Sequence, residues 1–325
     1  MTAFPAQLLN VLRQLSPEVF LSGEEVARRL GCSRATVNNA IRAAAQAGIP
    51  VHAVHGRGYR LARPVSWLDG DRLSNAMARR GVALRHLDQV GSTNAHLLEW
   101  AASGAPHRAV VSAEWQSQGR GRRGRTWHAG LGCGLMFSLL WRSNRPAAEL
   151  SGLSLAVGVA LAKALGGLGL RSMVKWPNDI QVDGAKLAGV LIELSGDMLG
   201  PSAAVIGVGV NVLGADALTG QVGQPVTDLH RHLGVMDRNE LLLALVAGLD
   251  AELARFEQGG FAVFREEWQA CHAHQGKDVL IHSGQAEPIM GRAVGVDEQG
   301  ALLLDTGSEL RRFHSGDVSL RGVDS

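Results

Sequence analysis

Lysine is scarce in this chain: among 325 residues only Lys163, Lys175, Lys186 and Lys277 carry it. Two of the four, Lys175 and Lys186, fall within one short stretch, which singles that stretch out. Cysteine is as rare. Cys32, Cys133 and Cys271 are odd in number and widely spaced, which excludes a disulfide framework and a zinc-ligand pattern and fits a reducing cytosol. The N-terminus has no basic segment followed by an apolar one, so no secretory signal is read. The apolar stretch 153–170 is interrupted by Lys163 and four glycines and reads as a buried helix, not a membrane span. Long polar tracts are missing too, and a hydrophobic content of 46% argues for a chain folded throughout, long enough for two or three domains. The twelve histidines form no metal-ligand cluster, and no Ser-His-Asp order marks a covalent nucleophile. What remains open is chemistry driven by positioning and electrostatics. The expected location is the cytoplasm, without a membrane.

The small net charge of +2 hides an asymmetry. Residues 1–66 carry eight arginines against three glutamates, whereas the remainder is mildly acidic. A basic module on an acidic body points to nucleic acid at the N-terminus alone. There Leu8, Leu9, Leu12 and Leu15 recur at helical spacing. Ser22 and Glu25 read as a capping box for a second helix that Gly31 ends, with Ser22 accepting from a first-turn amide and Glu25 reaching back. Ser33 caps a third helix running through Val37, Ala40, Ile41 and Ala44 to Gly48. Residues 51–53 and 59–61 alternate around residues 55–58 as a β-hairpin wing. This is the helix-turn-helix pattern with a wing. Ser33, Arg34, Thr36, Asn38, Asn39 and Arg42 lie on or beside the third helix. Either they form a solvated face or they meet DNA, with Arg28, Arg42 and Arg57 on phosphates and Asn38 or Asn39 on an adenine edge.

Two further segments look built for anions. Between strand-like residues 109–115 and 135–141 lie about twenty residues with glycines at 119, 121, 124, 130, 132 and 134 and arginines at 120, 122, 123 and 125. Tethered by strands at both ends, this reads as a loop that closes over a ligand: arginine supplies forked donors, and glycine lets amides approach. The second segment starts with Lys175, Trp176, Pro177, Asn178 and Asp179, turns at Asp183-Gly184 and continues with residues 185–194 as a hairpin. Alternation puts Lys186, Ala188 and Val190 on one face, so Lys186 is expected beside the small Ala188. Lys186 is then either an exposed hairpin charge or a ligand contact. The run 176–179 is either an ordinary turn or a nucleotide and magnesium site. In residues 205–212, Ile206, Val208, Val210 and Val212 share one face and Gly207, Gly209 and Asn211 the other, a bare strip suited to close approach by a ligand or by a helix. Ser92, Thr93 and Asn94 open a helix and either cap it or bind a small polar head group.

Taken in order, these motifs closely resemble the bifunctional biotin–protein ligase and biotin-operon repressor family over nearly the whole chain. The resemblance implies an α+β protein in three parts. Residues 1–66 would be a winged helix-turn-helix, 67–273 a catalytic domain with a mixed sheet like class II aminoacyl-tRNA synthetases, and 274–325 a small SH3-like barrel with turns at 297–300 and 315–316. It implies activation of biotin by ATP and magnesium to biotinyl-5′-AMP, then transfer to a lysine of the biotin carboxyl carrier domain of acetyl-CoA carboxylase. It further implies a homodimer that binds operator DNA under control of the adenylate. Ser92, Thr93, Asn94 and Gln116 would meet the biotin head group. Arg120, Gly121 and Arg122 would close over biotin and adenylate, with Lys186 on the carboxylate and Lys186 and Arg122 assisting the reaction. Arg122, Arg125, Asn178, Asp179, Asn211 and Arg321 would serve ATP, with Asp179 also on magnesium. Ser33, Arg34, Thr36, Asn38, Asn39, Arg42 and Arg57 would face DNA.

Two features depart from the family pattern. Residues 213–236 contain no tryptophan to cover the adenine, and Asn39 stands where studied repressors carry lysine in the recognition helix. The alternatives are a lipoate–protein ligase-like enzyme, a ligand-sensing regulator without catalysis, and a ligase whose DNA-binding domain is non-functional.

Overall fold

The structure, a computed structural model, describes all residues except 1–4, 6, 47–48, 197–200, 219–221, 284–286, 315–317 and 323–325. The chain begins with three helices, α1 (Leu8–Arg13), α2 (Gly23–Leu30) and α3 (Arg34–Gln46), and a two-stranded wing, β1 (Val51–Val54) and β2 (Gly58–Leu61). The helix signals act as their chemistry dictates. Ser22 accepts from Glu25 N at 3.1 Å, Ser33 accepts from Thr36 N at 3.1 Å, and Gly31 ends α2 in the left-handed region. Half of the expected capping box is absent, because the Glu25 carboxylate is taken by Arg28 and Arg29 rather than turned back to the helix start. Two cations one turn on offer a charged partner that a single amide does not.

The centre follows with α4 (Gly70–Ala78), β3 (Leu84–Val90), α5 (Thr93–Ala102), β4 (Val110–Gln116), β5 (Gly134–Ser143), α6 (Leu153–Gly167), β6 (Met173–Lys175), β7 (Asp179–Val182), β8 (Ala185–Gly196), β9 (Ser202–Asn211), α7 (Leu229–Leu233), α8 (Arg238–Gly259) and α9 (Arg265–Ala270). The strands form one mixed sheet of order β3-β4-β5-β9-β8-β7-β6, in which only β3 and β4 run parallel. One face carries Ile206, Val208, Val210 and Val212 into a large core with α6 and α8, which explains the alternation in β9. The opposite face is covered at one end by α5, through Leu97 against Val111, Leu140 and Val205. Beyond α5 that face is open. Among the described residues no helix is long and apolar enough to cross a membrane, and residues 153–170 supply the buried α6 instead.

The last strands, β10 (Asp278–Ser283), β11 (Ile289–Val296), β12 (Leu302–Asp305), β13 (Leu310–Phe313) and β14 (Val318–Gly322), make an antiparallel sheet of order β13-β12-β11-β10-β14. Val279, Ile281, Leu302 and Leu304 share the central core, so the small sheet is packed onto the large one without a break. Its 297–300 turn docks by accepting from Trp176 Nε1 at Gly300 O (3.2 Å) and from the Ser151 hydroxyl at Gln299 O (2.7 Å). The expected 315–316 turn lies outside the described residues.

Two strand assignments need correction. Lys175 is not in the strand that follows it: β6 ends at Lys175, and Trp176, joined to Pro177 by a cis bond, leads the turn into β7. The second concerns Lys186. Asp183 (φ 50°) and Gly184 (φ 78°) form the expected two-residue turn, but Leu187 is left unpaired as a bulge between Gln181↔Lys186 and Ile180↔Ala188. The extra residue shifts the alternation by one. Leu187 and Ala188 are both buried in the core, and Lys186 emerges on the face of Gly189, not beside Ala188.

Candidate functional site

The open half of the sheet is a cavity of about 820 Å³. Its floor is the paired strip of Gly189 against Gly209 and Leu191 against Gly207 on β8 and β9. The missing side chains are filled by others. Asn94 lies on Gly207 and the Trp127 indole on Gly209, and a Cβ at either glycine would overlap those groups. Around Gly189 stand Lys186 Nζ and the Trp127 ring, 3.1 and 3.3 Å from where a Cβ would be. At Gly207 and Gly209 the bare strip is therefore a platform for Asn94 and Trp127, with no room for alanine.

One wall is the start of α5. Ser92, Thr93 and Asn94 are all buried, and Ser92 occupies the cap position without its hydroxyl accepting a capping hydrogen bond. Thr93 N and Thr93 Oγ1 donate to Gln116 Oε1 at 2.7 and 3.1 Å, joining the helix to the end of β4. Asn94 Nδ2 donates to Leu191 O (3.2 Å) and Glu193 Oε2 (2.7 Å). From below, the Ser138 hydroxyl of β5 reaches Asn94 Oδ1 (2.6 Å) and Thr93 Oγ1 (2.8 Å).

The arginine–glycine segment arches over this wall as a small hairpin. Arg120 bridges to Thr126, Gly121 N donates to Arg125 O at 2.7 Å, and Trp127 N donates to Gly119 O at 2.9 Å. Arg120 Nη2 donates to Glu193 (3.1 Å) and Arg122 Nη1 to Asn178 Oδ1 (3.4 Å). At the loop's far end Leu131 packs with Trp115 into the apolar cluster of the three N-terminal helices.

Lys186 Nζ pairs with Asp179 Oδ1 at 2.6 Å and stands 5.7 Å from the Trp127 ring centre. Asn178 spends its amide nitrogen on Val190 O (2.7 Å), which fixes the turn. Asn211 donates to Lys186 O (3.3 Å) and Thr227 O (3.1 Å), so it holds the 224–227 segment against β8. Leu218, Val222 and Val226 line that side of the cavity, from the stretch 213–236 that contains no tryptophan. At the other end Lys175, His274 and Lys277 line it. Burial, reinforced by those two lysines, pushes His274 down to about 4, so it is neutral at neutral pH.

The cavity thus brings together Ser92, Thr93, Asn94, Gln116, Arg120, Gly121, Arg122, Arg125, Asn178, Asp179, Lys186 and Asn211. Arg321 pairs through its backbone with Leu280 in β14, and its side chain lies outside the described residues. Ser33, Arg34, Asn38, Asn39, Arg42 and Arg57 are exposed and Thr36 is half-buried, and none of the seven lines the cavity. Sequence reasoning assigned no site role to Trp127, Ser138, Glu193, His274 or Lys277. A lone serine in the apolar run of β5 was the available signal for Ser138. A neutral platform beside one half-buried lysine and an arch of arginines suits a ligand with an uncharged head, a carboxylate and a polyphosphate partner.

Comparison with known proteins agrees with this chemistry. The profile of the Biotin/lipoate A/B protein ligase family matches residues 87–211, an HTH domain profile matches 6–60, and the Biotin protein ligase C terminal domain matches 274–321. The Bifunctional ligase/repressor BirA of Salmonella typhimurium is 36% identical over 317 residues, 97% of this chain and 98% of its own. The Biotin–[acetyl-CoA-carboxylase] ligase of Paracoccus denitrificans is 37% identical over 224 residues, 67% of this chain and 92% of its own. Among solved structures, the biotin protein ligase of Aquifex aeolicus in complex with biotin and ATP superposes with a TM-score of 0.64 at 30% identity, covering 74% of this chain and 99% of that one. With 36% identity over 97% of the chain, and with HTH, ligase and C-terminal profiles each matched, the chain belongs to the bifunctional biotin ligase/repressor family.

Proposed function

We propose that this chain is an ATP-dependent biotin–protein ligase whose N-terminal module also makes it a repressor responsive to biotinyl-5′-AMP. The observation that carries the ligase reading is the placement of Lys186, half-buried at the glycine platform under the arginine arch. In the first step a biotin carboxylate oxygen attacks the α-phosphorus of ATP, the bond to the β-phosphate oxygen breaks, and pyrophosphate leaves. Two anions meet in this step, and fixed cations remove the repulsion between them. Lys186 would exchange Asp179 for the biotin carboxylate, and Arg122 and Arg125 would close on the phosphates. Ser92, Thr93, Asn94 and Gln116 would hold the head group, with Arg120 and Gly121 covering it. Asn178, Asn211 and Arg321 belong to the ATP side, Asn211 by keeping the 224–227 segment in place.

In the second step the amine of a carrier-domain lysine attacks the adenylate carbonyl, the carbon–oxygen bond to AMP breaks, and the amine loses a proton. Magnesium fits as an ion that arrives on the phosphates. Among the described residues no three metal-binding side chains cluster, and Asp179 offers the single carboxylate such an ion needs once it leaves Lys186. The metal would neutralise phosphate charge. Residues 1–66, 67–273 and 274–325 serve as the working units of this reading. The DNA role rests on the exposed polar face of α3, and a homodimer would let two such modules read a palindrome. Incubating the protein with biotin, ATP, magnesium and a biotin carboxyl carrier domain tests the ligase: the carrier lysine should gain biotin, and its failure to do so refutes the reading.

A further inference from the structure

We propose that Ser138 and Glu193 are positioning residues that set which hydrogen-bonding groups the head group meets, and that Glu193 also ties the arginine arch to the floor. This inference rests on the ligase reading above.

Ser138 is 0% exposed, the one polar residue in the run 134–141 of β5. A hydroxyl at that depth is costly unless bonded, and its partners are Asn94 Oδ1 at 2.6 Å and Thr93 Oγ1 at 2.8 Å. On its other side Asn94 faces two groups that only accept, Leu191 O and the Glu193 carboxylate. The amide can satisfy them only with its nitrogen, so its oxygen must face Ser138, and a flipped amide would put oxygen against oxygen. Glu193 and Ser138 together therefore lock the orientation of Asn94. The lock continues along the wall. Thr93 gives its backbone N–H to Gln116 Oε1 at 2.7 Å, which engages the oxygen of Gln116 and leaves its Nε2 as the group for a ligand. The wall consequently offers a donor at Gln116 and an acceptor lone pair at Asn94, the complement of a cyclic urea with its carbonyl and flanking N–H groups.

The same Glu193 oxygen that takes Asn94 Nδ2 also takes Arg120 Nη2 at 3.1 Å. One carboxylate oxygen thus joins the head-group wall to the arch. A head group that steadies Asn94 steadies this oxygen, and with it the arginine that begins the arch.

The test uses full-length protein and steady-state pyrophosphate release with biotin and ATP varied separately, together with limited trypsin digestion at the arch arginines. Glu193→Gln, isosteric and on a partly exposed side chain, should raise the KM for biotin fivefold or more while the KM for ATP stays within twofold. Biotin alone should slow cleavage of the arch in the unaltered protein and should no longer do so in Glu193→Gln. Ser138→Ala should show the same split between the two KM values. A biotin KM that rises less than fivefold in Glu193→Gln, or an ATP KM that rises in step with it, overturns the proposal, since a merely structural residue would affect both substrates alike. If the unaltered protein releases no biotin-dependent pyrophosphate, the ligase reading itself falls; if it is active and the variant matches it, only the positioning role falls.

Discussion

Lys186 Nζ sits 2.6 Å from Asp179 Oδ1, in a pair whose side chains keep only 17% and 13% of their surface in contact with solvent. Charges so far from water are strongly felt by any anion that enters. Replacing Lys186 by alanine removes the cation and leaves Asp179 unpaired next to an incoming carboxylate. The loss should be about 2–4 kcal/mol, or roughly thirty- to a thousand-fold in the rate of adenylate formation. Pyrophosphate release within threefold of the unaltered protein would remove Lys186 from the chemistry.

Gly209 carries the Trp127 indole so closely that a β-carbon would overlap the ring. Gly209→Ala should displace Trp127 from the platform, cost about 1–3 kcal/mol of stability from overpacking, and weaken biotin binding at least tenfold. Calorimetric titration with biotin and thermal unfolding measure both effects. Full affinity in this variant would show that the indole is not part of the ligand surface.

His272 is 2% exposed and stacked on Trp268. Burial, with His274 and Lys277 adding to it, pushes His272 down to about 3. Because its folded pKa lies below the unfolded value of about 6.5, the unfolded chain takes up the proton first on acidification. The neutral ring's contribution is intact above about pH 6.5 and declines below it at up to ~1.4 kcal/mol per pH unit, toward the folded pKa. His272→Phe should flatten the fall in urea midpoint between pH 6.5 and 4.5. An unchanged slope would show that His272 does not drive acid lability.

Arg42 lies exposed on α3 and outside the cavity. A single winged helix with a few phosphate contacts binds DNA weakly, whereas two modules in a dimer gain avidity. Biotin and ATP together should therefore tighten binding to the promoter of biotin-synthesis genes at least tenfold and shift the protein toward a dimer in sedimentation. Arg42→Ala should weaken promoter binding without slowing biotin transfer. Equal binding to promoter and scrambled DNA, unmoved by the adenylate, would leave the ligase without its repressor half.

The features legible in the sequence were those set by neighbours in the chain. Ser22, Gly31 and Ser33 act within one helical turn, Asp183-Gly184 within a two-residue turn, and β9 declares its faces through alternation. The misreadings arose where a distant partner decides. The bulge at Leu187 exists because β7 and β8 must both fit the core and the turn, and that one residue moves Lys186 to the other face. Ser138 and Glu193 are ordinary strand residues until three strands bring them to Asn94. His274 and Lys277 meet the cavity only because the C-terminal sheet packs onto the central one. Glu25 was misassigned for a simpler reason: two arginines outcompete one amide.

The most direct measurement is the product itself. The purified protein, given biotin, ATP and magnesium without any carrier domain, should accumulate biotinyl-5′-AMP and release pyrophosphate in step, both detected by mass spectrometry and a coupled phosphate assay. Lipoate in place of biotin should give at least a hundredfold less. Pyrophosphate release that does not depend on biotin, or a lipoyl adenylate formed as readily as the biotinyl one, would contradict the assignment of this cavity to biotin activation.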